Sequence, residues 1–113
     1  MRVINISKNT LLADKAEITN TLLKRLIGLL NRKSLNKGEA LILLPCNCIH
    51  SLFMRFTFDV IFLDKARKVI EAVSLFKPFR LSPIYFKAKL AIELPANTLH
   101  LTQTQPGDII QIT

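Results

Sequence analysis

The sequence predicts a mainly β domain, α+β by content, in which a small antiparallel β-barrel or sandwich carries one amphipathic helix near residues 20–31. Two observations carry this: six or seven short runs rich in β-branched and aromatic residues, and a single segment of helical period. A third bounds it. The chain has 113 residues, and compact domains commonly hold about 100 to 150. Residues 1–113 are therefore read as one domain. Half of the residues are hydrophobic and 21% are charged, so burial offsets the ordering entropy and disorder is excluded.

Taken in order, the strand candidates are VINI (3–6), LLADKAEI (11–18), EALILL (39–44), FDVIFL (58–63), KVIEAVSLF (68–76), KLAIEL (89–94) and DIIQI (108–112). Each is short, rich in Val, Ile, Leu or Phe, and bounded by turn-forming or charged residues. DKARK (64–68) reads as a hairpin turn and KPFRLSPIYFKA (77–88) as a long loop punctuated by proline. In NTLLKRLIGLL, at about 100° per residue, Leu22, Leu23, Leu26, Ile27, Leu29 and Leu30 fall within an arc of roughly 160°, opposite Thr21, Lys24, Arg25 and Gly28. That is an amphipathic helix, with Thr19 or Asn20 available as its N-cap. A basic amphipathic helix suits an anionic membrane. Its six aliphatic residues suit the core of this domain better, and that reading is preferred.

No apolar run approaches the roughly 20 residues needed to span a bilayer, so no membrane insertion is expected. The N-terminal MRVINISKNT lacks the apolar stretch of a secretory signal, which makes a cytoplasmic location the expectation and a structural disulfide unexpected. Sixteen Lys and Arg against eight Asp and Glu give a net charge of +8. Anionic partners follow from that balance, though not which anion. The basic residues form no block of like charge, so they belong to the folded surface rather than to a tail.

Chemistry-bearing residues concentrate in CNCIHSLFMRFTF (46–58). On a straight strand Cys46, Cys48 and His50 share a face. Same-face neighbours are then about 6.6 to 6.8 Å apart. Two thiolates on one zinc, with bonds of about 2.3 Å, sit only about 3.8 Å apart. A fourth ligand would have to come from His100 or a carboxylate, and the spacing is not the CxxC of zinc sites. No metal and no cofactor is therefore expected, and the two thiols are read as buried and free. A hydrolase triad has less support, because His50 and Ser51 would point to opposite faces of a strand and no GxSxG is present. A Cys nucleophile paired with His100 remains as the enzymatic alternative, resting on residue types alone. Arg55 and Asp59 would lie about 13 Å apart on a straight strand and meet only across a turn or bulge, where Asp59 would orient the guanidinium toward an anion or form a structural pair with it.

The segment FKPFRLSPIYFKAK interleaves Phe76, Phe79, Tyr85 and Phe86 with Lys77, Arg80, Lys87 and Lys89. Those are the ingredients of single-stranded nucleic-acid binding. The preferred reading is a loop whose aromatics anchor it in the core while its lysines are solvated.

Over nearly its whole length the chain resembles the family known as Domain of Unknown Function 192. The resemblance rests on RLIGLL (25–30), CNCIHSLFMRFTFDVIFLD (46–64), KPFRLSP (77–83), ELPA (93–96) and GD (107–108), in that order and spacing. It places His50, Ser51, Met54, Arg55 and Asp59 in the family's signature segment, and Glu93 and Pro95 in a second. It implies a small, mainly antiparallel β-barrel or sandwich with one helix against it, and no established activity. Asn31 and Asn97 stand where relatives usually have glycine. Ala66-Arg67 replaces a glycine-containing hairpin turn. Relatives commonly have a small residue where Cys48 sits.

The function expected is a non-enzymatic binding or interaction module for an anionic small molecule or peptide group. His50, Ser51, Met54, Arg55 and Asp59 form its expected site, with Arg55 holding the anion. A hydrolase or transferase using Cys46, Cys48 or His50 is the alternative from another class, and an RNA-binding module through residues 76–89 is the third.

Overall fold

The structure, a computed structural model, describes residues 1–19, 35–51 and 56–113. Among these residues there are eight strands: β1 (Val3–Asn5), β2 (Thr10–Ala13), β3 (Lys15–Thr19), β4 (Glu39–Leu43), β5 (Phe58–Leu63), β6 (Val69–Phe76), β7 (Leu90–Pro95) and β8 (Ile110–Ile112). One short helix, α1 (Thr98–Thr102), follows β7. The strands form a three-stranded sheet, β2-β1-β8, and a five-stranded sheet, β3-β4-β7-β5-β6. The fold is mainly β. It is built of two sheets, and the described residues form no closed barrel.

The run 11–18, expected as one strand, is two strands in different sheets. Asp14 is the corner between them: its N–H and that of Lys15 both donate to the carbonyl of Gly38, at 3.0 and 2.8 Å. Gly38 itself has φ 89°, and a Cβ there would lie 2.6 Å from Asp14 Oδ1. The left-handed backbone favours glycine there, and an added Cβ would also require the exposed Asp14 carboxylate to turn away. β3 pairs in parallel with β4, the one departure from antiparallel pairing among the named strands. The amphipathic helix expected over 20–31, and Asn31 with it, lies outside the described residues.

The core has two compartments, one on each face of the large sheet. β5 is buried at all six positions, and its period of two deals the side chains alternately: Ile61 and Leu63 to one cluster, Phe58, Val60 and Phe62 to the other. β4 and β7 do the same, which is why these strands read as continuous apolar runs rather than alternating ones. Across the sheet Ile18, Ile42, Ile92, Ile61 and Ala72 form one row in register. The first compartment is closed by Val3, Leu12 and Ile110 of the small sheet and by Leu99 of α1. Cys46, Ile49 and Ala88 join the second. Loop side chains thus complete a core that the strands leave open.

The two sheets are stitched together where β6 begins. Val69 N–H donates to Asp108 O, Gly107 N–H to Val69 O and Ile110 N–H to Arg67 O, at 2.8, 2.8 and 2.9 Å. The 64–68 turn forms without glycine. Arg67 takes the left-handed conformation at φ 66°, and Asp64 Oδ1 accepts from the N–H groups of Ala66 and Lys68, which holds the turn closed.

Candidate functional site

Of the five residues expected to form a site, Met54 and Arg55 lie outside the described residues. Asp59 sits on β5, facing the compartment that contains α1, and is wholly buried. The pairing of β5 with β6 slips beside it: Phe58 faces Phe76 and Val60 faces Val73, so two residues of β6 oppose one of β5. That is a bulge, with Leu75 in the left-handed region at φ 56°. The N–H that the bulge releases at Leu75 donates to Asp59 Oδ1, and the N–H of Leu99, in the first turn of α1, donates to Asp59 Oδ2, both at 2.9 Å. Asn97 makes no side-chain cap on that helix. Asp59 satisfies the orphan donor in its place. A carboxylate so enclosed presents no oxygen to a ligand.

Ser51 is equally buried. Its hydroxyl accepts from the N–H of Arg80 at 2.9 Å and donates to the carbonyl of Lys77. Its own N–H donates to Arg80 O, and its carbonyl accepts from Phe79 N–H. Ser51 therefore fastens the loop at 77–80 to the segment before it. His50 is exposed and forms an isolated antiparallel bridge with Leu81. Residues 46–50 are not a strand, so the same-face alignment of Cys46, Cys48 and His50 does not arise. Cys46 is buried and directs its Sγ to Cys48 O at 3.1 Å. Cys48, expected to be buried, is exposed. Among the described residues no group of three His, Cys, Asp or Glu gathers at metal-binding distance.

The loop at 77–89 is the feature that the sequence underweighted. Its aromatics were expected to anchor it, and two flanking or lying in it do: Phe76 packs against Phe58 with ring centroids 5.5 Å apart, and Tyr85 against Phe62 at 4.5 Å. Burial, with the negative charge of Glu71, raises the Tyr85 phenol above its ordinary value and keeps it neutral. Phe79 and Phe86 do the opposite. They are 63% and 83% exposed, with Leu81 at 71% and Ile84 at 53% between them. Lys77, Arg80, Lys87 and Lys89 are exposed on the same loop and make no ion pair among the described residues. No Asp or Glu occurs between Glu71 and Glu93. At one end Pro45, Cys46, Asn47, Phe86, Ala88 and Lys89 line an open hollow of about 340 Å³.

The outward side chains are held there by a fixed backbone. Besides the Ser51 contacts, Ser82 N–H donates to Ile49 O, Tyr85 N–H to Asn47 O and Cys46 N–H to Lys89 O, at 2.9, 2.8 and 3.1 Å. Ile49 N–H in turn donates to Ser82 Oγ at 2.9 Å. Residues 46–51 and 79–89 thus brace each other, and the exposed apolar groups are presented rather than left loose.

Fold and surface together define a small two-sheet β domain whose buried polar residues brace loops, one of which displays apolar and cationic side chains. The chain belongs to the Domain of Unknown Function 192 family, whose model, described as Uncharacterized ACR, matches residues 3–112. It is 34% identical to a UPF0127 protein of Pyrococcus abyssi (strain GE5 / Orsay) over 115 residues, covering 96% of this chain and 95% of that one. A solved structure of a protein of unknown function from Novosphingobium aromaticivorans DSM 12444 superposes with a TM-score of 0.82 at 20% identity, over 98% of this chain and 82% of that one. Another, from Sinorhizobium meliloti 1021 and described as a candidate transcription regulator, superposes with a TM-score of 0.77 at 18% identity, over 97% of this chain and 89% of that one. At those identities the likeness is of fold alone.

Proposed function

We propose that the chain is a cytoplasmic, non-enzymatic binding module for a partner that carries anionic groups, and that the loop at 77–89 is its recognition surface. The observation that carries this is the loop's composition in place: four exposed cations and four exposed apolar side chains, with no acid among them. Cations gathered without counter-charges raise the local concentration of anions and direct their approach. The hollow beside Phe86 and Lys89 falls in the size range of small-ligand sites, about 300 to 1,000 Å³. It offers a seat for an anionic group attached to an apolar body, whether a small molecule or a peptide side chain. His50, bridged to Leu81, belongs at the rim of this surface. Ser51 and Asp59 enter the proposal as supports. Arg55 keeps its expected role of anion holder, and Met54 its place in the expected site.

The exposed Phe79 and Phe86 among the loop cations make nucleic acid the natural competitor to an acidic peptide. The test titrates the protein with a fluorescent polyglutamate peptide and with an oligothymidylate at two salt concentrations. Binding that weakens as salt rises, and that falls in Arg80→Glu, Lys87→Glu and Arg55→Ala, is expected. Binding indifferent to the two loop reversals, or no binding of any anionic probe, soluble or vesicle-borne, rejects the proposal.

A further inference from the structure

Resting on that reading, we infer that the loop at 77–89 docks on the surface of an anionic lipid bilayer. Charge alone does not choose among anions, but the apolar side chains do. Two of the four exposed ones, Leu81 and Ile84, are aliphatic. A nucleic-acid strand stacks its bases on aromatic faces and has no use for isoleucine or leucine held out in water. A second copy of this chain would set four loop cations against another four, with no acid on either loop to offset them. An anionic bilayer takes both features at once. Its acyl boundary receives Phe79, Leu81, Ile84 and Phe86, and its phosphates receive Lys77, Arg80, Lys87 and Lys89. Long Lys and Arg stems allow the ammonium and guanidinium groups to stay at headgroup level while the apolar tips go deeper.

The bracing of the loop strengthens this assignment. Hydrogen bonds to residues 47–51, the Ser51 hydroxyl and the inward rings of Phe76 and Tyr85 fix the backbone before any partner arrives. Ordering costs on docking are thereby reduced. Among the described residues no helix is long and apolar enough to cross a membrane; the contact inferred is made by side chains of one loop.

Co-sedimentation with vesicles tests it. Phosphatidylcholine vesicles containing about one-third phosphatidylglycerol should carry the full chain down, and pure phosphatidylcholine vesicles should not. Each basic residue near an anionic surface is worth roughly fivefold in partitioning, so Arg80→Glu with Lys87→Glu should lower it by at least about twentyfold. Phe79→Ser with Phe86→Ser should also lower it, by about tenfold, at unchanged net charge. All four positions are exposed, so folding is preserved, and circular dichroism checks this. Reversing Arg2 and Lys15, which lie outside the loop, should have a clearly smaller effect than reversing the loop pair. Loss through the charge reversals but not through the Phe variants would mean plain adsorption of a basic protein and overturns the inference. So would equal effects of the two charge pairs. Binding of oligothymidylate or polyglutamate without vesicle binding also overturns it while leaving the proposed function standing. If neither soluble anions nor vesicles bind, both fall.

Discussion

Asp59 shows how a residue that looks functional in a sequence can be spent on the backbone. Its two oxygens accept the N–H groups of Leu75 and Leu99, one released by a bulge and one by a helix start, and neither donor has a nearer partner. A buried donor left unsatisfied costs about 1 to 3 kcal/mol. Asp59→Ala orphans the buried N–H of Leu99 and leaves the part-buried N–H of Leu75 to water, so it should lower stability by roughly 1 to 3 kcal/mol, read as a fall in the urea midpoint at nearly constant slope. A loss under about 0.5 kcal/mol, the size of an ordinary surface substitution, would mean that water replaces the carboxylate and that the bracing role is wrong. Ser51 follows the same logic at the other end of the signature segment. One hydroxyl both donates to Lys77 O and accepts from Arg80 N–H, which alanine cannot do and threonine does only with an added methyl in a fully buried site.

At the scale of elements, the runs 58–63 and 89–94 were legible because two-sided burial leaves a largely apolar signature, and the run 68–76 because it is rich in β-branched and apolar residues although most of it is only partly buried. The corner at Asp14 was not, since a polar residue inside an apolar run looks the same in a strand as between two strands. α1 was missed because five residues give no period to detect, and its start is capped by Asp59, far away in sequence. For the site, the cations of 77–89 were readable, but which aromatics turn inward depends on Phe58 and Phe62, and no local pattern encodes that. The GD pair at 107–108 gains a reason only in three dimensions. Asp108 accepts from Asn5 Nδ2 and from Lys8 Nζ, each at 2.9 Å, and from the N–H of Gln105 at 3.1 Å. It ties the turn after β1 to the start of β8. Burial alone would raise its pKa, but these hydrogen bonds, from Asn5, Lys8 and Gln105, and the Lys8 charge outweigh that and hold it below the ordinary 3.8. A carboxylate lowered in the folded state stabilises above its unfolded value, near 4, and loses that contribution as pH falls through the folded value. Acid unfolding curves should therefore show a loss below about pH 4 that Asp108→Asn largely removes, with the variant already weaker at neutral pH. An unchanged acid limb in Asp108→Asn would assign the loss to other carboxylates.

Over the whole molecule, the excess of basic residues acts in two opposite directions. The domain measures 34 × 29 × 22 Å. At about 0.01 M salt the screening length is roughly 30 Å, so nearly every one of its charges senses the others; at about 0.15 M it is roughly 8 Å, and only neighbours interact. With a net charge of +8 the summed interaction at low salt is repulsive and works against the compact state. Added salt should therefore raise the thermal midpoint between those two concentrations, although it weakens the Lys8–Asp108 pair. The same salt should weaken capture of an anionic partner, because there the charges attract. Reversing Arg80 and Lys87 removes two units each and lowers +8 to +4. That variant should melt higher than the parent at low salt, depend less on salt, and bind anions poorly. A thermal midpoint that falls as salt is added would show that attractive pairs outweigh the net repulsion. A rise in stability paired with a fall in anion affinity, both reduced by the same two substitutions, would mean that this surface gives up folding free energy to keep its cations free for a partner.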